Sequence, residues 1–175
     1  LSRRVAADFS SATFFLAAGA LGDNDVLVRG LDMNDPQGDK AVIDYLRLMG
    51  ARIDVQPDGI RVRPGELKGC EIDLNATPDA LPMMAAVGCF SFGKTSLVNV
   101  PQARLKETDR IAVMAAELSK MGAVIRERPD GLEIEQSRLR GAEVDGHHDH
   151  RVVMALAVAG SAVEGRTIIQ TAEAM

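Results

Sequence analysis

Arg104-Leu105-Lys106-Glu107-Thr108-Asp109-Arg110 places five charges in seven positions directly ahead of an amphipathic stretch. Asp149-His150-Arg151 sets an acid and an arginine at the start of another apolar run. Arg110 and Arg151 would each open a helix, where a cation opposes the macrodipole. That placement makes sense if an anion lies between the arginines and the free N–H groups of the helix ends, because a guanidinium fork recognises carboxylate or phosphate in bidentate fashion. Asp79, just after Thr77-Pro78, stands where an acid gains about 0.3–1 kcal/mol from the dipole, so a structural reading stands beside a functional one. His147, His148, Asp149 and His150 could in principle ligate zinc. Close neighbours rarely converge on one tetrahedral ion, however, and the chain has no other histidine, so no metal is expected.

The chain carries a control for its charged run. At an offset of 72 positions, Asn34-Asp35-Pro36-Gln37-Gly38 leads into a matching helix pattern, Val42/Tyr45/Leu46/Met49 against Met114/Glu117/Leu118/Met121. Both patterns stop at Met-Gly-Ala, at Gly50 and Gly122. A scaffold that accepts a bland linker in one copy does not need Lys106, Glu107 and Arg110 for packing. They are therefore functional candidates.

The elements that position these residues follow from the same repeat. Pro57-Asp58-Gly59 and Pro129-Asp130-Gly131 are turn signals between short strand-like runs, Arg52–Gln56 with Ile60–Arg63 and Val124–Arg128 with Leu132–Glu135. Gly22, Gly93 and Gly165 each follow an alanine-rich apolar segment (12–21, 80–90 and 152–162) and precede a β-prone run. One unit reads helix, strand, helix, hairpin, with a short strand at the junction. Units span about 8–76 and 77–147, with a partial third from 148 to 175. A repeat this long predicts an α/β (α+β) domain of packed βαβαββ units rather than a solenoid. The half-unit, with no initiator Met at Leu1, reads as a piece of a longer polypeptide.

Composition supports a real core: 175 residues, 46% hydrophobic, with only 3% aromatic, so Ala, Val, Leu, Ile and Met must fill it. A net charge of −5 argues against a general nucleic-acid or membrane surface. Cys70 and Cys89 make no disulfide framework, and Cys89 reads as a small buried hydrophobe. Without a signal peptide or spanning segment in view, the cytoplasm is the expected compartment. Ser10 or Ser11, Thr77, Thr108 and Asp149 are the expected N-caps.

Lys106-Glu107-Thr108-Asp109-Arg110, Asp149-His150-Arg151, Thr77-Pro78-Asp79-Ala80 and Asp8-Phe9-Ser10-Ser11-Ala12 together resemble the 5-enolpyruvylshikimate-3-phosphate (EPSP) synthases in order and spacing. The likeness covers about residues 5–175. It implies one lobe of the two-lobed enolpyruvyl transferase fold, an inside-out α/β barrel whose other, N-terminal lobe is absent here. It also implies transfer of enolpyruvyl from phosphoenolpyruvate to the 5-hydroxyl of shikimate 3-phosphate, with release of phosphate and no cofactor. Asp79 then resembles the base at that hydroxyl, and Glu107 the proton carrier at the methylene carbon. Lys106 lies near both substrates, and Arg110 with Arg151 resembles the clamp on the phosphoenolpyruvate carboxylate. Gln102 stands where the family often has Asn, and His150 is similar to a site neighbour. One lobe alone is expected to be inactive.

These roles suit the chemistry. Adding an alcohol across an enol ether removes one proton from oxygen and delivers another to carbon, so two acid–base groups are needed. Both substrates are anionic, so fixed cations must offset their repulsion. The alternatives are a UDP-N-acetylglucosamine enolpyruvyl transferase and a non-catalytic anion-binding repeat module. A mere anion binder gains nothing from the carboxylates of Asp79 and Glu107.

Overall fold

The computed structural model describes residues 5–174. The chain opens with α1 (Phe9–Ala20) and β1 (Val26–Arg29), then a 3-10 turn (Gly38–Ala41) running into α2 (Val42–Met49). The hairpin β2 (Arg52–Gln56) and β3 (Gly59–Arg63) follows, then the short β4 (Glu71–Asp73). The order then recurs. A 3-10 turn (Pro78–Ala80) leads into α3 (Leu81–Phe90), β5 (Lys94–Val98), a 3-10 turn (Pro101–Leu105) and α4 (Arg110–Lys120). The second hairpin is β6 (Val124–Arg128) with β7 (Gly131–Glu135), and β8 (Glu143–Asp145) closes the copy. A third copy has begun with α5 (His150–Ser161) and β9 (Ile168–Gln170).

Strand pairing stitches successive copies together. Within a copy the first strand lies antiparallel to the second hairpin strand, giving β1-β3-β2 and β5-β7-β6. The closing strand of each copy pairs in parallel with the first strand of the next, β4 with β5 and β8 with β9. Both hairpins turn on a glycine at the same place. A Cβ on Gly59 would stand 2.2 Å from the Val28 carbonyl oxygen, and one on Gly131 1.9 Å from that of Leu97. Only glycine lets the hairpin turn approach the neighbouring strand this closely.

The first helix of each copy faces inward. Residues 81–89 of α3 are all buried, as expected for a helix that is apolar all round, and α3 lies against α1, α4 and α5. The second helices are amphipathic: α2 buries Val42, Ile43, Leu46 and Met49, while α4 buries Ile111, Met114 and Leu118. Aliphatic residues, alanine and methionine make most of the core, joined by Phe9 and Phe14 of α1. Cys89 lies inside it, and burial pushes its thiol up to about 12. Among the described residues no helix is long and apolar enough to cross a membrane.

Three of the expected caps change on inspection. Asp8, not Ser10 or Ser11, caps α1, accepting from the backbone N–H groups of both serines. Asp109, not Thr108, caps α4 through the Ala112 N–H, because a carboxylate is the stronger acceptor one position nearer the helix. Thr77 occupies the cap position of its turn without a capping bond, its hydroxyl being paired with that of Tyr45 at 3.0 Å. Asp149 caps α5 as expected.

Candidate functional site

Repeat geometry gathers helix starts on one face. The N-terminus of α4 lies between the starts of α3 and α5, so Arg110, Asp79 and Asp149 meet. Arg110 is fully buried, and four of its N–H donors are taken: Nε to Asp149 Oδ2 at 2.7 Å, Nη2 to Asp149 Oδ1 at 3.2 Å and to Glu107 Oε2 at 2.6 Å, and Nη1 to Asp79 Oδ1 at 2.8 Å. Lys106 Nζ stands 3.0 Å from Asp79 Oδ1. Arg151, in the first turn of α5, approaches Asp79 Oδ2 at 3.5 Å. Asp79, Lys106, Glu107, Arg110 and Arg151 thus form one ion cluster.

The loop carrying Lys106 and Glu107 is held from outside by Arg104. Its guanidinium donates to Asp109 Oδ2 at 2.7 Å and to the Pro129 and Arg128 carbonyls at 2.9 and 2.6 Å, and pairs with Glu127. The α4 cap and the β6–β7 turn are thereby tied together, which sets where residues 106 and 107 point.

The two arginines differ in their partners. The anions that lie between them are the protein's own carboxylates. Arg110 is neutralised by three of them, which explains a buried cation against a helix dipole without any ligand. Arg151 donates no side-chain hydrogen bond among the described residues and keeps 13% of its side chain exposed. It and Lys106 are the cations most available to an incoming anion.

Residues 1–175 match the family model described as EPSP synthase (3-phosphoshikimate 1-carboxyvinyltransferase). The chain belongs to the EPSP synthase family. It is similar to the 3-phosphoshikimate 1-carboxyvinyltransferases of Ruminiclostridium cellulolyticum (58% identity, 96% of this chain, 40% of that protein) and Acetivibrio thermocellus (54% identity, 100% of this chain, 41% of that protein). The solved EPSP synthase of Acinetobacter baumannii superposes with a TM-score of 0.89 at 29% identity, over 97% of this chain and 42% of that one. The chain therefore spans about two fifths of the length of the relatives it matches. The enolpyruvyl transferase NikO from Streptomyces tendae, at 20% identity and a TM-score of 0.75, bears on the fold alone. The family's repeated α/β lobe is the fold read from the repeat.

Within this EPSP synthase-family lobe, two sequence candidates stand apart from the ion cluster. Gln102 donates from Nε2 to the Asn75 carbonyl (2.8 Å) and to Asn75 Oδ1 (3.2 Å), bracing the loop that leads to Asp79. His150 is half-buried and makes no hydrogen bond or ion pair among the described residues. His147 instead meets Glu117 at 3.0 Å, and no group of three or more His, Cys, Asp or Glu residues in the described chain could hold a metal ion.

The upstream control segment is less bland than its sequence. Gln37 accepts from the Phe9 N–H and donates to the Ala7 carbonyl, both at 2.8 Å, which fastens it to the start of α1. Asp39 is thereby brought near Asp79 and Arg151. Burial raises its carboxyl, helped by the charge of Asp79, while Arg151 pulls the other way. The signal for Asp39 is its place in the repeat, one position after the equivalent of Arg110.

Asp79 and Asp149 both titrate below the ordinary carboxylate range. In each, burial works upward and is outweighed. For Asp79 the Lys106 ammonium and the charges of Arg151 and Arg110 prevail, and for Asp149 the Arg110 guanidinium with the α5 N–H groups. A carboxyl depressed on folding contributes stability that is present above its unfolded pKa of about 3.9 and lost as pH falls through the folded value. Asp39 runs oppositely, being relieved when protonated. The urea midpoint should therefore hold between pH 7 and 5 and fall steeply below about pH 4. A midpoint that rises below pH 4 would contradict the cluster's charge state.

Proposed function

We propose that this chain is the lobe of a 3-phosphoshikimate 1-carboxyvinyltransferase that carries its acid–base pair. In this reading the complete protein joins phosphoenolpyruvate to the 5-hydroxyl of shikimate 3-phosphate. The observation that carries it is two carboxylates, Asp79 and Glu107, on separate nitrogens of one buried guanidinium, with Lys106 and Arg151 beside them. Asp79 takes the proton of the 5-hydroxyl as that oxygen bonds to C2 of phosphoenolpyruvate. Glu107, in its protonated form, delivers its proton to C3, giving a tetrahedral ketal. Glu107 then takes a proton back from the new methyl group as the C2–O bond to phosphate breaks, so phosphate leaves, the enolpyruvyl ether remains, and the proton held by Asp79 departs with the phosphate. No metal or organic cofactor takes part.

Electrostatics supply a reason for the order of events. Asp79 is a weak base while three cations surround it. Substrate carboxylate and phosphate groups would compete for Lys106 and Arg151, and each cation drawn away raises the basicity of Asp79. Binding thus prepares the base. Arg110 bridges the two carboxylates, and burial rather than a lack of donors separates it from substrate, since one Nη1 N–H is left unengaged among the described residues.

The rest of the family's length is proposed to form the second lobe, whose closure excludes water and completes the ring of cations. Residues 1–175 alone should release no phosphate from phosphoenolpyruvate and shikimate 3-phosphate, whereas the full-length protein should. Calorimetry on the full-length protein should show binding of shikimate 3-phosphate and none of UDP-N-acetylglucosamine. Binding of the nucleotide sugar instead would replace the acceptor assigned here.

A further inference from the structure

Glu117 is a buried carboxylate that the proposed chemistry does not use. It lies two helical turns after Arg110 on the same face of α4, about 10 Å along the axis. Its side chain is 3% exposed, yet both oxygens are fully engaged. Oε2 accepts from Lys120 Nζ at 2.7 Å and from the Asp145 N–H at 2.8 Å, and Oε1 meets Lys120 Nζ at 2.8 Å and His147 Nε2 at 3.0 Å.

The segment it grips is strained. His147 and His148 both have positive φ, at 51° and 56°, in succession. Non-glycine residues are uncommon in this region and persist only where surroundings over-determine them. Asp145 adds to the restraint, accepting from the His147 N–H and the Thr171 hydroxyl. This turn delivers Asp149 and Arg151. Helix α4 therefore holds the segment at two points, Arg110 on Asp149 and Glu117 on Asp145 and His147.

We propose that Glu117 is a positioning residue for the site: from α4 it locks the Asp145–His148 turn so that Arg151 stays in register with Arg110 and Asp79. The proposal rests on the function given above. Without the lock, the strained turn relaxes and the start of α5 shifts, and Arg151 loses its aim at the incoming anion. Burial works to raise the Glu117 carboxyl, but the Lys120 ammonium, the Asp145 N–H and His147 outweigh it, so it is a firm anionic anchor at neutral pH.

The test uses Glu117→Ala and Glu117→Gln in the full-length protein, with His147→Ala as the partner substitution. Glu117→Ala should raise KM for phosphoenolpyruvate about 10–10²-fold, the scale expected when a binding group is misplaced by about 1 Å, with a much smaller change in KM for shikimate 3-phosphate. Glu117→Gln keeps one acceptor for the Asp145 N–H and should recover part of the loss. The double variant with His147→Ala should lose less than the sum of the two single variants. Hydrogen exchange across residues 144–153 should accelerate in each variant. Unchanged exchange, or equal shifts in both KM values that merely track the unfolding midpoint, would overturn the positioning role. If Glu117→Ala does not fold, Glu117→Gln and His147→Ala decide the question by the same readouts. Failure of the unsubstituted protein to turn over the two substrates would refute the proposed function instead, while the exchange arm still reads the lock.

Discussion

Replacing Glu107 with Gln, or Asp79 with Asn, in the full-length protein is expected to lower kcat by about 10²–10⁴-fold, the usual share of a general acid–base group. Neither change should unfold the lobe. Both carboxylates keep partial exposure, 48% for Glu107 and 29% for Asp79, so stability should move by about 1 kcal/mol or less. The two variants should differ in KM. Asn at position 79 no longer competes with substrate anions for Lys106 and Arg151, so KM should hold or fall while kcat collapses. An anion-binding module would likewise keep or gain ligand affinity but would have no turnover to lose, so the fall in kcat is what separates the two readings. Unchanged kcat in either variant removes that carboxylate from the proposed chemistry.

Asp149→Ala should cost about 3–5 kcal/mol of stability, the scale for breaking a buried ion pair from one side. Asp149 and Arg110 are both fully buried, and the same carboxylate caps α5 through the Arg151 and Val152 N–H groups. The loss has two parts, an exposed helix end worth about 1 kcal/mol and a guanidinium left with only Asp79 and Glu107. Asp149→Asn keeps the capping acceptor and loses the charge, so it should fall between. Arg110→Ala should be comparably destabilising, so a defect in that variant cannot be assigned to ligand binding without an unfolding curve beside it. Combining Asp149→Ala with Arg110→Ala should cost less than the sum, since each already removes the same pair. A cost under about 1 kcal/mol for Asp149→Ala, measured by urea unfolding, would show that Arg110 is satisfied without it.

Much of this lobe is legible in the residues alone, because its signals are local. The strand runs at 52–56 and 124–128 and their Pro-Asp-Gly turns, the Met-Gly-Ala helix ends and the apolar helices all depend on spacing over a few positions. Repetition of those signals reveals the fold class, since each copy supports the reading of the other. Lys106, Glu107, Arg110, Asp79 and Arg151 stand out by charge at helix starts, again a local property. The family follows from those strings.

Partnership is another matter, because it depends on which residues distant in sequence meet, and side-chain type does not encode that. Arg110 and Arg151 look equivalent in sequence, but only the folded chain places Asp149 against Arg110 and leaves Arg151, among the described residues, without a side-chain hydrogen bond. The segment 34–38 looks inert because its role runs through Gln37 and the neighbouring Asp39, which matter only once α1 lies beside them. Glu117 reads as an ordinary polar position of an amphipathic helix. Its burial under the Asp145–His148 turn, with two histidines forced to positive φ, arises from the packing of α4 against β8 and α5. The sequence determines which groups can carry charge and protons. The tertiary structure decides which charges cancel within the protein and which remain for a ligand, because electrostatic strength depends on distance and burial that only packing sets.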